Sequence, residues 1–206
     1  MIGILDYGLG NVMAFSNIYK RLNIPACIIT DANKIDSMEK LILPGVGSFD
    51  WAIERLNSSS MRDALEESVL EKKTPILGVC VGMQMMATGS DEGSTNGLGW
   101  IDARVKHFSK LSNISLDLPH MGWNDVETHH EHPLFKNLQK EAIFYFLHSY
   151  YFQENNKSQI LATSNYGGIY TSCVFKDNIY GVQFHPEKSH QWGIQLLKNF
   201  SEIKKC

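Results

Sequence analysis

A cysteine between two glycines is the residue of this chain best placed for covalent chemistry. Residues 78–82 read Gly-Val-Cys-Val-Gly, after a short apolar run and before a Met-rich stretch. We therefore expect a buried strand, a sharp turn and a helix, with Cys80 on the turn. Flanking glycines permit such a reversal, and a nucleophile there is exposed at the top of a sheet. Cys80 is a candidate nucleophile, and a buried structural cysteine is the alternative.

A thiol on this turn needs a second group to become a thiolate. A helix N-terminus stabilises an anion by roughly 0.3–1 kcal/mol, whereas lowering a thiol pKa from about 8.5 to about 7 takes roughly 2 kcal/mol. Among eight histidines, His185 ends an apolar strand and precedes Pro186 and Glu187. The proline sets a turn that lets Glu187 fold back and orient the imidazole. The sequence therefore indicates a triad of Cys80, His185 and Glu187, with a surface His and Glu as the alternative.

Two glycine-containing loops follow predicted strands. Residues 44–49 read Pro-Gly-Val-Gly-Ser-Phe and lie where open α/β sheets place their ligands. The Val46 N–H could point into a site beside Cys80, and the Val81 N–H could be a second oxyanion donor; a plain turn is the alternative. The loop at 8–10 lacks the third glycine of a dinucleotide fingerprint, since Met13 stands there, so we expect no cofactor.

A group of three histidines, near two carboxylates, invites a metal interpretation. They precede Pro133 in a polar, turn-like stretch and lack a helical His pair, so a solvated loop is favoured and no metal is expected. The residues concerned are Asp125, His129, His130, Glu131 and His132.

Bulk composition narrows the class of protein. The 206 residues are 43% hydrophobic and 20% charged, with a net charge of -3, which disfavours nucleic acid and anionic membrane as partners. The four cysteines are scattered without Cys-x-x-Cys spacing, which favours a reducing compartment. There is no leader-like segment or membrane-length apolar run, so we expect a cytoplasmic protein. No repeat or linker divides the chain, so we expect one domain, 1–206.

The predicted elements indicate an α/β protein with a β-rich second half. In the first half strands alternate with helices, which predicts a mostly parallel central sheet with helices on both faces. The predicted strands there are 1–5, 26–30, 40–43 and 75–79, and the predicted helices are 11–22, 49–56, 61–73 and 81–88. The second half carries predicted strands at 99–108, 114–118, 142–147, 159–163, 169–175 and 178–184, and a closing helix at 190–203.

The sharp strand-to-helix turn around Cys80, residues 78–84, is a nucleophile elbow. This elbow together with Phe184-His185-Pro186-Glu187 resembles the class I glutamine amidotransferases, which have a flavodoxin-like fold. Further segments are similar to the glutaminase subunits of imidazole glycerol phosphate synthases, and the similarity runs essentially from end to end. Pro-His-Met-Gly-Trp-Asn is the most discriminating segment, because the triad is shared by many relatives. The segments are 6–11, 44–49, 119–124, 146–150 and 185–189.

The resemblance implies a role for each matching residue. Cys80 would be the nucleophile, His185 the acid and base, and Glu187 the residue that orients it. The oxyanion hole would use the Val46 and Val81 backbone N–H groups, with the Val46 peptide flipping to take part. Glutamine would be held by Gly47, Gln84, Glu92, Ser149 and Tyr150, and the partner would face Asn11, Trp123 and Tyr145. The chain departs from the usual pattern at Val81, where Leu is commoner, and at His190.

The resemblance also implies a reaction and a partner. Glutamine would be hydrolysed to glutamate and ammonia through a thioester. Since the glutaminase fold uses the whole chain, the acceptor site would lie on a (β/α)8 cyclase subunit, in a heterodimer that makes imidazole glycerol phosphate and aminoimidazole carboxamide ribotide for histidine biosynthesis.

Three other functions stay open at this point. A similar glutaminase could supply ammonia for amidination of a surface-polysaccharide or flagellar sugar, and gene neighbourhood would separate the two. A catalytically silent docking subunit is disfavoured by the complete triad. A cysteine protease or esterase would not need Gln84, Glu92 or the Trp123 segment. Without the resemblance, Trp123 could equally be a core residue.

Overall fold

The computed structural model describes residues 1–111, 116–138 and 141–204, and strands dominate it. In chain order the strands are β1 (Ile2–Leu5), β2 (Ala26–Ile29), β3 (Lys40–Gly45), β4 (Ile76–Cys80), β5 (Gly89–Ser90), β6 (Ala103–His107), β7 (His120–Asp125), β8 (Glu127–Thr128), β9 (Ile143–His148), β10 (Tyr150–Glu154), β11 (Ile160–Asn165), β12 (Ile169–Lys176) and β13 (Ile179–Val182). The α-helices are α1 (Val12–Arg21), α2 (Phe49–Ser58), α3 (Arg62–Glu66), α4 (Val81–Gln84) and α5 (His190–Glu202).

A large mixed sheet organises the described residues. Eleven of their strands belong to it, in the order β2-β1-β3-β4-β13-β12-β10-β6-β5, with β11 paired to β12 and β8. The five strands from β2 to β13 run parallel to one another, and β12 continues the sheet antiparallel to β13. Strands β7 and β9 form a separate antiparallel ribbon. The predicted α/β class, with a parallel core and a β-rich second half, is confirmed.

The parallel strands read as continuous apolar runs because they are buried. Every residue of β1, β4 and β13 is buried, as expected for strands covered on both faces. Helix α1 buries Phe15, Ile18 and Tyr19 at helical spacing, and the Tyr19 hydroxyl donates to the Leu197 carbonyl of α5 at 3.2 Å. The predicted cap of α1 is confirmed, since Asn11 Oδ1 accepts from Ala14 N at 3.1 Å. No helix in the described ranges is both long and apolar enough to cross a bilayer.

Glycines allow the first turn of α4 to lie directly against the ends of β3 and β4. A Cβ on Gly82 would lie 2.0 Å from the Leu43 carbonyl oxygen, and a Cβ on Gly45 would lie 2.2 Å from Gly82 N. Both neighbours are backbone atoms, so a larger residue would force the elements apart. This close approach sets the position of Cys80 between them.

Two predicted helices differ from the structure. The helix predicted over 81–88 ends at Gln84, because Met86 N and Ala87 N bond three residues back and Thr88 N bonds to Ala103 O of β6. Pairing of β5 with β6 therefore ends the helix. The helix predicted over 61–73 is α3 followed by a π-helical turn, Glu67–Glu71.

Strand predictions in the second half were less accurate than those in the first. The strand predicted over 114–118 lies partly outside the described residues, and its described part, 116–118, is not a strand. Strands β7 and β10 were not predicted. In β7 the buried residue is a histidine, His120, and the apolar residues Met121 and Trp123 are exposed. The strand therefore lacks the alternation of buried apolar and exposed polar residues by which strands are predicted. In β10 consecutive Tyr-Tyr-Phe residues hide any alternation.

Candidate active site

The candidate catalytic residues meet at one edge of the parallel sheet. Gly45 of β3 is in register with Cys80 of β4, and Val182 of β13 is in register with Val79. Since parallel strands end at the same edge, the loop after Gly45, the turn at Cys80 and the segment after Val182 converge there. The topology thus explains why residues more than a hundred positions apart share a site.

Cys80 occupies the turn in a strained conformation. Its φ of 56° and ψ of -113° lie outside the regions that residues with a side chain favour, so the turn is held by its surroundings. The side chain is buried, with Sγ 4.0 Å from Leu147 O and 3.7 Å from Gln183 Nε2. Backbone strain at a residue of this reactive type is typical of a functional position.

His185 and Glu187 form a buried pair beside the cysteine. His185 Nδ1 donates to Glu187 Oε1 at 2.8 Å, and both side chains are only 4% exposed. Burial by itself lowers the pKa of His185, but hydrogen bonds with Cys80 and Glu187 outweigh it and raise the pKa to about 10. His185 is therefore held in its protonated form at neutral pH by its two neighbours.

A cavity of about 300 Å³ opens above the cysteine and contains most of the predicted site residues. The predicted residues that line it are Val46, Gly47, Cys80, Val81, Gln84, Glu92, Ser149, Tyr150 and His185. Glu187 lies behind His185 and does not line the cavity. The assigned oxyanion and glutamine-binding roles stay predictions, but the structure places all of these residues around one space.

Glu92 has a structural contact that its predicted role did not include. Its Oε2 accepts from Phe49 N at 2.8 Å, while the Ser48 side chain makes no capping bond. Glu92 therefore caps α2 from another loop. Asp50 returns the interaction by accepting from Ser94 N and Thr95 N at 3.0 and 3.1 Å. These bonds anchor the end of the loop that carries Val46.

The residues predicted to face a partner lie outside the cavity. Trp123 and Tyr145 are cross-strand neighbours on the ribbon, with ring centroids 6.0 Å apart, and Trp123 is 43% exposed. Trp123 is therefore not a core residue. Asn11 is exposed and caps α1, at the same edge of the sheet as Cys80. The Tyr145 carbonyl accepts from His185 N at 2.8 Å, which links the ribbon to the candidate base.

The histidine group at 129–132 shows no metal-like arrangement. His129 Nε2 lies 3.1 Å from Thr163 Oγ1, and His132 Nδ1 accepts from Leu134 N. Within the described ranges no three His, Cys, Asp or Glu side chains are grouped to hold an ion.

Several residues near the cysteine were not assigned from the sequence. Pro119, Leu147, His148 and Lys188 line the cavity, and Gln183 contacts the sulfur from within the protein. A signal for Gln183 was present, because residues two apart in an extended chain point the same way, and Gln183 precedes His185 by two. His148 could not be found this way: its Nδ1 bonds to Tyr150 O at 2.7 Å, and burial lowers its pKa to about 3.

The family described as "Glutamine amidotransferase class-I" matches residues 11–203 of this chain, and the chain belongs to that family. A protein of Bdellovibrio bacteriovorus named "Imidazole glycerol phosphate synthase subunit HisH" is 53% identical over 204 residues, covering 98% of this chain and 100% of that protein. A protein of Leptospira borgpetersenii with the same name is 51% identical over 204 residues, covering 98% of this chain and 100% of that protein.

Solved structures agree on the fold. A structure described as "Crystal structure of glutamine amidotransferase" superposes with a TM-score of 0.73 at 17% identity, over 98% of this chain and 99% of that one. A glutamine amidotransferase of Thermotoga maritima gives a TM-score of 0.63 at 17% identity, over 98% of this chain and 82% of that one. At these identities the likeness concerns the fold alone.

The raised pKa of His185 predicts how stability depends on pH. The pKa is about 10 in the folded chain and about 6.5 in an unfolded one, so protonated His185 favours folding. This contribution is complete below about pH 6.5 and is lost as the pH rises toward 10. Glu187 is one of the two residues that raise the pKa of His185, and Glu187→Gln removes its negative charge. We expect the variant to melt below the wild type at pH 6, and the two melting temperatures to converge by pH 10.

Thermal melts at pH 6, 8 and 10 measure this effect. Glu202→Gln, at an exposed carboxylate of α5, is the control and should match the wild type throughout. If the melting temperature of Glu187→Gln differed from that of the wild type by the same amount from pH 6 to 10, Glu187 would not be raising the pKa of His185.

Proposed function

We propose that this chain is the glutaminase subunit of an imidazole glycerol phosphate synthase. It hydrolyses glutamine to glutamate and ammonia and passes the ammonia to a cyclase subunit, which makes imidazole glycerol phosphate and aminoimidazole carboxamide ribotide in histidine biosynthesis. The observation that carries the proposal is the Cys80, His185 and Glu187 arrangement at one cavity. Relatives of that name, at 53% and 51% identity over 98% of the chain, support the pathway.

The first chemical step would be attack of the Cys80 thiolate on the side-chain amide carbon of glutamine. A tetrahedral intermediate forms, and its oxyanion would be bound by the Val46 and Val81 backbone N–H groups. The His185 imidazolium then gives its proton to the leaving nitrogen. The C–N bond breaks, ammonia departs, and a γ-glutamyl thioester remains on Cys80.

The second step would return the enzyme to its starting state. Neutral His185 takes a proton from a water molecule, which attacks the thioester carbon. The C–S bond breaks, releasing glutamate and the Cys80 thiolate next to a protonated His185. Glu187 holds the imidazole through its Nδ1–H and stabilises its positive charge in both steps.

Glutamine would be held by the cavity residues beyond the triad. Gly47, Gln84, Glu92, Ser149 and Tyr150 are the proposed contacts, and all of them line the cavity. The Gln84 amide nitrogen and one Glu92 oxygen already bond within the protein. Their side chains would therefore act partly by fixing the cavity wall, and their remaining oxygens are available to a ligand.

A (β/α)8 cyclase subunit is the proposed partner, in a heterodimer, and the outer face of the β7–β9 ribbon is its proposed contact surface. Contiguous exposed apolar side chains often mark interaction sites. Trp123 and Tyr145 lie at the centre of this face, and Asn11 would contribute from the start of α1. The other exposed apolar residues of the ribbon are Met121, Ile143 and Leu147. We also place residues 1–206 in the cytoplasm as one glutaminase domain, which the scattered cysteines favour.

A pull-down with the full chain as bait tests the proposal. The expected result is capture of a cyclase subunit, and a complex that makes imidazole glycerol phosphate from either glutamine or ammonium salts. Capture of a sugar-amidating synthase instead would support the alternative pathway. A complex that uses ammonium but never hydrolyses glutamine would mean that the chain is only a docking subunit.

Trp123→Ala separates an interface role from a structural one. Because the side chain is 43% exposed, we expect the melting temperature of the isolated chain to stay nearly unchanged. Binding to the partner should weaken by about 2 kcal/mol or more, as for an interface hot spot. Calorimetry or surface plasmon resonance measures the binding.

Trp100→Ala is the matched comparison, because Trp100 is 3% exposed. Truncating a buried tryptophan costs about 3–5 kcal/mol of stability, so this variant should melt far lower. A similar thermal loss in Trp123→Ala, with unchanged partner affinity, would show that the ribbon is not the contact surface.

A further inference from the structure

A buried glutamine contacts the nucleophile from inside the protein. Gln183 is fully buried, directly follows β13, and places its Nε2 3.7 Å from Cys80 Sγ. It does not line the cavity, so its side chain is separated from the position proposed for glutamine. None of the proposed chemical steps uses Gln183. A primary amide buried against a reactive sulfur therefore needs its own explanation.

The hydrogen bonds around Gln183 determine which end of its amide faces the sulfur. Gln84 Nε2 lies 3.2 Å from the Tyr150 carbonyl oxygen, which can only accept, so this atom of Gln84 must be the donor. The same nitrogen donates to Gln183 Oε1 at 3.0 Å. With its oxygen occupied in this way, Gln183 presents its NH₂ group to Cys80. The Tyr150 carbonyl thus fixes the orientation of the Gln84 amide, and the Gln84 amide fixes the orientation of the Gln183 amide.

We propose that Gln183 is a catalytic residue that donates an N–H to the Cys80 sulfur and stabilises the thiolate, with Gln84 fixing its orientation. A hydrogen bond to the charged form of an acid favours that form. The imidazolium of His185 and the Gln183 amide would then both contact the sulfur. This inference rests on the proposed glutaminase function and adds a residue to it.

Besides His185 and Glu187, the titratable groups around the sulfur and its cavity are Tyr7, Glu92, His148, Tyr150 and Lys188. Tyr7 interacts electrostatically with Cys80, while its hydroxyl donates to Pro44 O, and His185 carries Glu187 on its far side. A substitution at Gln183 leaves all of these titratable side chains unchanged. A change in the titration of Cys80 in such a variant is therefore attributable to the amide.

Gln183→Met tests the donor directly, because methionine has a similar length and no N–H. The rate of Cys80 alkylation by iodoacetamide, followed by peptide mass spectrometry across pH, reports its thiolate fraction. We expect the alkylation midpoint of the full chain to rise by about one pH unit, the size expected of one hydrogen bond to an anion. In the complex, kcat for glutamine hydrolysis should fall about tenfold while KM stays within about twofold.

Gln183→Glu is the second variant and keeps both shape and the bond from Gln84. Its second oxygen places an acceptor where the N–H was, so the midpoint should rise further than in Gln183→Met. Gln153→Leu, at an exposed glutamine of β10, is the control and should match the wild type.

An unchanged alkylation midpoint in either folded Gln183 variant would overturn the proposal. So would a higher KM at unchanged kcat, which would mean that Gln183 only shapes the cavity. Alkylation does not require glutamine, so it separates this inference from the proposed function. If the wild-type complex released no ammonia from glutamine, the proposed function would fail, while the alkylation midpoints would still report the amide.

Discussion

Cys80→Ser should lower ammonia release from glutamine by more than about a thousandfold, the loss typical of a removed nucleophile. A serine hydroxyl in the same position is not ionised by the neighbouring His185, so no thioester forms. Synthesis by the complex from added ammonium salts should remain intact, because that reaction takes place on the partner. The measurement is product formation from each nitrogen source at equal partner concentration.

Two further sets of variants sharpen this result. Cys27→Ser changes a half-buried cysteine away from the cavity and should retain wild-type activity. His185→Ala should lose activity as Cys80→Ser does, whereas Glu187→Ala should keep more, since it removes only orientation and charge support. Near-normal glutaminase activity in Cys80→Ser would rule out the thioester mechanism.

The isolated chain should hydrolyse glutamine weakly, and the complex with the partner's substrate should raise kcat by about 10²–10³-fold. This is the effect of gaining one oxyanion-hole donor. The Val46 peptide is the proposed donor, since it lies in an exposed loop before Gly47, whose φ is 86°. Holding this peptide in an unproductive orientation until the partner is occupied would prevent waste of glutamine.

The structure contains a direct connection through which a partner could act. Tyr145 contacts Trp123 on the proposed contact surface of the ribbon, and the Tyr145 carbonyl accepts from the His185 N–H. Steady-state kinetics of the free chain, the complex, and the complex with its second substrate separate kcat from KM. Trp123→Ala should bind the partner less well and need more of it for activation. Full activity of the purified chain alone would contradict this prediction.

Local patterns in the sequence were sufficient for the elements that depend on neighbours in the chain. The apolar runs of β1, β3 and β4, the Asn11 cap and the helix α5 follow from residues a few positions apart. The elbow also follows locally, because Gly78 and Gly82 flank Cys80. The fold class was predictable for this reason, since alternating strands and helices leave few packing solutions.

Features that depend on contacts between distant segments were not predictable. The helix after Cys80 ends early because Thr88 pairs with Ala103, a partner that its own residues do not indicate. Glu92 caps α2 from another loop, and no local capping pattern marks it. The exposure of Trp123 depends on which face of the ribbon packs on the core.

The candidate site also has features that local sequence determines and features that only long-range contacts determine. The sequence by itself pointed to Cys80, His185 and Glu187, because Cys80 and His185 each follow a predicted strand at a turn and Glu187 is only two residues beyond His185. Only the tertiary structure decided that β4 and β13 are adjacent, which brings His185 to Cys80 and Gln183 to the sulfur. Strand order is set by long-range packing, and it leaves no local pattern in the chain.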